Sequence, residues 1–261
     1  MHFWRKLGRG LRVAGTFVLS LGELLWKRPQ SRKDRAAWLT KFCQRTLRAA
    51  GVTWTTSGPI PDSGAVVSNH LTYVDILVHA ALRPCVFVSA IETRRMPLIG
   101  WISMMAGTVY VTRGAGGSAA KAAGGMAEGF RDGLPVVFFP EGRTGLGDEP
   151  VLPLRSGLLA TVLEADVPVT PGFLRYELSA ADLADGKTTR ADVHWGDQTL
   201  PAHLWNLFGL HAVHAHFHFQ DGPIHFSAAA FQDRKVAAAE THHALLALSQ
   251  VVPEATPLQR K

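Results

Sequence analysis

From about residue 52 onward, short runs that are apolar at consecutive positions alternate with longer stretches of helical periodicity. Ala65 to Val67, Cys85 to Ser89, Val109 to Thr112, Pro135 to Phe139 and Val167 to Phe173 read as strands. A strand with one wet face alternates apolar and polar residues, so runs without that alternation must be covered on both faces. Val74 to Leu82, Pro97 to Ala106, Ser118 to Arg131 and Ser156 to Ala165 read as the helices that cover them. The pattern predicts an α/β fold, a largely parallel sheet flanked by helices. Residues 178 to 200 are polar and read as an excursion between the core and its last strand, and a C-terminal helix of about Ala228 to Val251 ends before Pro253.

With 261 residues, 47% hydrophobic and 18% charged, the chain is long enough to bury a sizeable core, which excludes disordered, collagen-like and coiled-coil classes. Cys43 and Cys85 are too few for a disulfide framework or a multi-cysteine zinc site, so a reducing compartment is the simpler expectation. The net charge of +6 is uneven: residues 1 to 50 hold twelve Lys/Arg against Glu23 and Asp34. The remainder holds fifteen basic and nineteen acidic residues, so the positive excess belongs to the N-terminal region.

That region carries Arg5, Lys6, Arg9 and Arg12, then the mostly apolar stretch Val13 to Trp26, then Lys27-Arg28-Pro29. Glu23 interrupts the apolar run and no small-residue cleavage site follows it, which argues against a secretory signal. At about 1.5 Å per residue the stretch spans roughly 20 to 24 Å, short of the roughly 30 Å of a bilayer core. Trp4 and Trp26 bracket it, and basic residues flank both ends, as expected where apolar surface meets anionic headgroups. No base-reading motif accompanies the charge, so nucleic acid is not an expected partner. A second helix follows: Ser31 and Asp34 form a capping signal, Leu39, Phe42, Cys43, Leu47 and Ala50 recur at helical spacing, and Gly51 stops it. Residues 1–51 are therefore expected to form a two-helix membrane-associating motif ahead of an α/β domain at 52–261.

The chemistry concentrates at strand ends. In Ser68-Asn69-His70-Leu71-Thr72-Tyr73-Val74-Asp75 a histidine is placed at the carboxyl edge of the sheet, where open α/β folds hold their sites. Asp75 falls one turn into the next helix, within reach of the imidazole Nδ1, which would leave Nε2 free to accept a proton. The pair suits general-base work on a hydroxyl. No Gly-x-Ser-x-Gly elbow is present and no second histidine is placed by spacing to activate Ser68, so a covalent serine route is not expected. A second cluster, Phe138-Phe139-Pro140-Glu141-Gly142-Arg143-Thr144-Gly145, joins glycines that admit an anion to an arginine able to hold it. Tyr110-Val111-Thr112-Arg113-Gly114 ends another strand on a cation, and Val167-Pro168-Val169-Thr170-Pro171-Gly172 forms an apolar wall.

In order and spacing, Asn-His-x4-Asp, x-Arg-Gly, Phe-Pro-Glu-Gly and Val-Pro-Val-x-Pro resemble the four blocks of the glycerolipid acyltransferases, specifically the bacterial 1-acyl-sn-glycerol-3-phosphate acyltransferase family. The resemblance covers about residues 60 to 180, and the N-terminal helix pair is similar to the family's membrane platform. It implies that His70 deprotonates the acceptor hydroxyl and that Asp75 orients it. Arg113 would touch the acceptor phosphate, Glu141 and Gly142 would shape the acceptor pocket with help from Arg143, and Asn69 and Thr144 are further acceptor-binding candidates. The third block departs from the family's Glu-Gly-Thr-Arg-Ser, with Arg143 and Thr144 exchanged and Gly145 in place of a hydroxyl residue, which makes Arg155 a substitute phosphate contact.

The implied reaction is direct attack of a lysolipid hydroxyl on acyl-CoA or an acyl carrier protein thioester, with no metal and no resident cofactor. It would run at the cytoplasmic face of a bacterial inner membrane, on a peripheral or monotopic enzyme. The implied acceptor is 1-acyl-sn-glycerol-3-phosphate, giving phosphatidate. Trp195 to Trp205 looks like a feature of a subgroup that includes lyso-ornithine lipid acyltransferases, so that lysolipid is the alternative; a catalytically silent lipid-binding protein is the alternative of another class. Three further features receive structural readings. His214, His216 and His218 alternate with apolar residues as on an exposed edge strand and are not read as a zinc site. Met96, Trp101, Met104 and Met105 line either an acyl tunnel or the core, and Gly114, Gly116 and Gly117 form a turn lacking the spacing of a dinucleotide site.

Overall fold

A computed structural model describes residues 2–96, 99–112 and 118–251. Arg113, Gly114, Gly116 and Gly117 therefore lie outside the described residues. Two long helices, α1 (His2–Lys27) and α2 (Arg32–Ala50), lead into β1 (Val52–Ser57) and β2 (Ala65–Ser68). Then come α3 (Val74–Leu82), β3 (Val86–Ala90), α4 (Ile99–Met105), β4 (Val109–Val111), α5 (Ser118–Arg131), β5 (Val136–Phe138), α6 (Gly157–Glu164) and β6 (Val169–Leu178). The chain closes with α7 (Ala180–Ala184), α8 (Thr189–Asp192), α9 (Leu200–Leu207), β7 (Val213–Phe219), α10 (Ala228–Gln232) and α11 (Arg234–Val251).

The strands form one seven-stranded sheet in the order β1-β7-β6-β2-β5-β3-β4. Every pairing is parallel except β6 with β7. The consecutive apolar positions follow from double coverage: in β2, Val66 joins the core beneath α2 and α3, whereas Ala65 and Val67 join the opposite core with Met126 of α5 and Leu159 of α6. In β5, Val137 and the pair Val136 and Phe138 divide the same way.

Three elements extend or depart from the sequence reading. The first helix carries the apolar stretch from Val13 back through the basic residues to His2, and Arg5 and Arg9 on that first part bond carbonyls of the protein. The polar excursion after β6 is structured by short capped helices, with Ser179 accepting from Asp182 N and Thr188 from Ala191 N. The C-terminal helix is broken after Gln232, where the Asp233 side chain caps a new start by accepting from Lys235 N at 2.8 Å.

The helix pair packs into the main core. Ser31 caps α2, Gly51 ends it at φ +80°, and Leu39, Phe42, Cys43 and Leu47 belong to the same buried cluster as Val66 and Phe217 of the sheet. Glu23 of α1 takes a two-pronged bond from Arg45 of α2, at 2.7 and 2.9 Å, and Trp38 Nε1 donates to Ser20 O at 3.0 Å. The outward stripe of α1 is left open by the described residues: Trp4, Leu11, Val18, Leu25 and Trp26 are 65% exposed or more. No helix among the described residues is long and apolar enough to cross a membrane.

The histidine strand is not an edge. β7 lies between β1 and β6, and its three imidazoles meet the hydroxyls of β1. Thr53 Oγ1 is 2.9 Å from His214 Nδ1, Thr55 Oγ1 is 2.8 Å from His214 Nε2 and 2.9 Å from His216 Nδ1, and Ser57 Oγ is 3.1 Å from His216 Nε2 and 2.6 Å from His218 Nδ1. The imidazoles thus point along the strand pair into a hydroxyl ladder rather than toward a common centre. Among the described residues no group of three His, Cys, Asp or Glu side chains is arranged to hold a metal ion.

Candidate active site

The chain leaves β2 at Ser68, turns, and enters α3 with Asp75 in its first turn. Asp75 is fully buried, and its carboxylate collects four donors: His70 Nδ1 at 2.8 Å, Leu71 N at 2.6 Å and Thr72 N at 3.0 Å on Oδ2, and the Tyr176 hydroxyl at 2.7 Å on Oδ1. A carboxylate only accepts, so Nδ1 of His70 carries the proton and Nε2 presents a lone pair. The imidazole is stacked on Phe139 at 4.0 Å and 14°. Its backbone is held on both sides: His70 O accepts from Gly145 N at 2.7 Å, and its N–H bonds the Glu141 carboxyl. Ring plane, tautomer and chain position are therefore each set by a separate contact.

His70 opens into an apolar cavity of about 560 Å³. Its walls come from Phe17 of α1, Phe42 of α2, Ile76 of α3, Phe87 of β3, Ile102 of α4 and Leu204 of α9. Phe139, Gly142 and Arg155 line it beside His70. Helix α4 presents Ile99 and Ile102 to this space, joined by Ala106 just past its end. Trp101 and Met104 face outward and Met105 packs against the core, so the methionine-lined tunnel considered from sequence is replaced by an isoleucine-lined one.

The other sequence-derived positions separate cleanly. Gly142 has φ +70°, and a Cβ there would stand 2.6 Å from Arg155 Nε; the missing side chain lets the guanidinium lie against the turn. Arg155 N also donates to Pro140 O at 2.8 Å, which brings Arg155 into the cavity beside His70. Arg143 is exposed and lies outside the lining, so the exchanged order of the third block turns the motif arginine away. Asn69 does not reach the cavity: its amide donates to Leu174 O at 2.9 Å and accepts from Leu174 N at 2.8 Å, stitching the turn to β6. Thr144 is likewise occupied, donating to Trp195 O at 2.7 Å. Glu141 is buried beneath His70, and burial pushes its carboxyl up to about 8 against the bonds from Leu152 N–H and His70 N–H. At neutral pH it is largely uncharged and adds little negative charge beside Asp75. Arg113 lies outside the described residues.

Spacing in sequence did not reveal several supporting residues. Tyr176 lies 101 positions beyond Asp75 in β6, and only the sheet order brings them together. His79 stands 2.9 Å from Ser68 Oγ, contrary to the expectation that no histidine approaches that serine. Both are buried and outside the cavity, and burial holds His79 down at about 3, so neither is offered to a substrate. Tyr73, at the start of α3, faces the cavity; its hydroxyl is 3.0 Å from His203 Nδ1 and its ring meets Trp195 edge-on at 5.4 Å. The excursion after β6 thereby closes one end of the site.

The chain matches the Acyltransferase family model over residues 51–175. It is 32% identical over 215 residues to a lyso-ornithine lipid O-acyltransferase of Pseudomonas aeruginosa, covering 78% of this chain and 79% of that one. It is 30% identical over 152 residues to a 1-acyl-sn-glycerol-3-phosphate acyltransferase of Neisseria gonorrhoeae, covering 58% of this chain and 56% of that one. The crystal structure of the 1-acyl-sn-glycerophosphate acyltransferase PlsC of Thermotoga maritima shares the fold, with a TM-score of 0.66 at 16% identity over 98% of this chain and all of that one. The fold is thus shared with the Thermotoga structure, and the similarity to the Pseudomonas enzyme over most of both chains shows that the chain belongs to the lysophospholipid acyltransferase family.

Proposed function

We propose that the protein moves a fatty acyl group from acyl-CoA or acyl carrier protein to the free hydroxyl of a lysolipid held at a membrane surface. The observation that carries this reading is the His70 imidazole, locked by Asp75 at 2.8 Å and opening on an apolar cavity of about 560 Å³. In the proposed cycle the acceptor hydroxyl gives its proton to His70 Nε2 as its oxygen forms a bond to the thioester carbonyl carbon. The tetrahedral intermediate then expels the thiolate, which takes the proton back from His70. Asp75 stabilises the imidazolium between the two transfers. No acyl-enzyme forms, and neither a metal nor a resident cofactor takes part.

Of the two acceptors, lyso-ornithine lipid gains support on two counts. Similarity to the Pseudomonas enzyme runs over 215 residues, well beyond the 51–175 match, and Arg143 stands away from the cavity. Arg155 then meets the ornithine carboxylate. Lysophosphatidate is the second reading, favoured by the family's block order and by the same arginine, which forks onto phosphate equally well. Purified protein offered labelled acyl-CoA and both lysolipids is expected to form more product with lyso-ornithine lipid. Product from lysophosphatidate alone overturns that preference, and no product from any acceptor returns the protein to the silent lipid-binding class.

The outward stripe of α1 is the proposed membrane contact, continued by Trp205, which packs with Phe3 at 6.1 Å. The flanking cations would face anionic headgroups, and the cytoplasmic origin of both thioester donors puts the site at the inner face of the inner membrane. Leu11→Glu with Val18→Glu leaves the cavity wall untouched. It is expected to weaken partitioning to anionic vesicles by about 10-fold or more, since each large apolar side chain contributes roughly 1.5 kcal/mol on burial. Unchanged cosedimentation with vesicles would refute the contact.

A further inference from the structure

Helix α1 has two jobs on opposite faces: one stripe is open, while Val13 and Phe17 line the cavity. What holds it in that rotation along its first half is a buried cation. Arg9 is 7% exposed, and its guanidinium donates to Phe208 O at 3.4 Å, to Leu210 O and to His211 O at 2.8 Å. Arg5 adds a bond to Gly209 O at 2.9 Å. Of these carbonyls that of Phe208 caps the end of α9, where a helix leaves its last acceptors without intrahelical donors, and the others belong to the segment that follows it. The same guanidinium covers the end of α2: Gly51 is the αL residue there, and a Cβ on it would overlap Arg9.

Val13 and Phe17 lie one and two turns beyond Arg9 on the same face of α1. Helix α9, whose end Arg9 holds, supplies Leu200 and Leu204 to the cavity and His203 to Tyr73. Arg9 therefore sits where two walls of the cavity are tied to each other and to the end of a third helix, α2. The clamps farther along α1, Glu23 with Arg45 and Ser20 with Trp38, lie beyond Phe17 and fix its other half.

We infer that Arg9 is a positioning residue for acyl transfer: it pins α1 to α9 so that the cavity keeps the width a long acyl chain requires. This rests on the acyl-transfer reading above. A residue serving stability alone would affect short and long donors alike. A pin for the apolar walls acts through binding of the acyl chain rather than through chemistry, so it weighs most on donors whose chain is long enough to fill the cavity.

The test compares hexadecanoyl-CoA with butanoyl-CoA on wild type, Arg9→Ala and Arg9→Lys, the lysine keeping the charge but losing the fork. For Arg9→Ala, KM for the long donor is expected to rise about 10-fold with kcat within about 2-fold, and KM for the short donor to stay within about 2-fold. Arg9→Lys should fall between and is the informative variant if alanine does not fold. Binding of cis-parinaric acid, a fluorescent long-chain fatty acid, is measured in parallel and should weaken in the same order. Equal changes for both donors, or unchanged probe affinity in both variants, overturn the pin. Wild type that binds the probe in an Arg9-dependent way yet transfers no acyl group leaves the pin standing and overturns the acyl-transfer reading instead.

Discussion

His70→Ala is expected to lower kcat about 10³-fold while leaving the thermal midpoint and vesicle binding nearly unchanged. A positioned general base contributes about 10² to 10⁴-fold, and among the described residues lining the cavity His70 is the one imidazole. His79 does not substitute: it is buried, bonded to Ser68 and held neutral at about 3. The fold tolerates the change because Asp75 keeps its bonds from Leu71 N, Thr72 N and Tyr176, and the fourth site faces a cavity that admits water. Single-turnover rates with saturating acyl-CoA and lysolipid, with the melting curve of the same preparation, decide the matter. A variant keeping more than about a tenth of wild-type kcat removes His70 from the proton path.

The strand-end histidine and its aspartate were legible because both lie within one turn, where local geometry alone puts an imidazole near a carboxylate. The same holds for the doubly covered strands, whose consecutive apolar residues leave no face for water. What spacing could not show depends on sheet order. Tyr176 reaches Asp75 only because β6 pairs with β2, and β7 is interior only because β1, early in the chain, pairs with it across 161 residues. The third block left open which arginine faces the site, for a local reason. Arg143 stands at the motif position, but Gly142 at φ +70° turns the chain so that Arg155, twelve residues later, lies over the glycine. A linear motif records which residues sit in a turn, not which way the turn presents them. The polar excursion was equally opaque, since Ser179 and Thr188 announce caps whereas the docking of Trp195 and His203 onto Tyr73 depends on the tertiary fold.

Asp75→Asn should separate two roles of the carboxylate, orientation and charge, with an expected fall in kcat of about 10²-fold, or about 2.7 kcal/mol. An amide in place of a triad carboxylate usually disturbs the imidazole tautomer by turning its nitrogen toward the ring. Here Oδ2 accepts from Leu71 N and Thr72 N as well as from His70. Turning the amide nitrogen that way would set it against two backbone donors, so the oxygen stays and the tautomer of His70 survives. What is lost is the negative charge that stabilises imidazolium in the transition state. The cost appears on the other side, where the amide nitrogen meets the Tyr176 hydroxyl, which must stop donating and accept instead. Tyr176 is fully enclosed, so its hydroxyl proton is stranded and the fold loses roughly 1 to 3 kcal/mol. Sucrose, which favours the folded state, should recover the melting temperature of Asp75→Asn without recovering kcat. If kcat returns along with the melting temperature, Asp75 acts by holding the fold rather than by steadying the charge on His70.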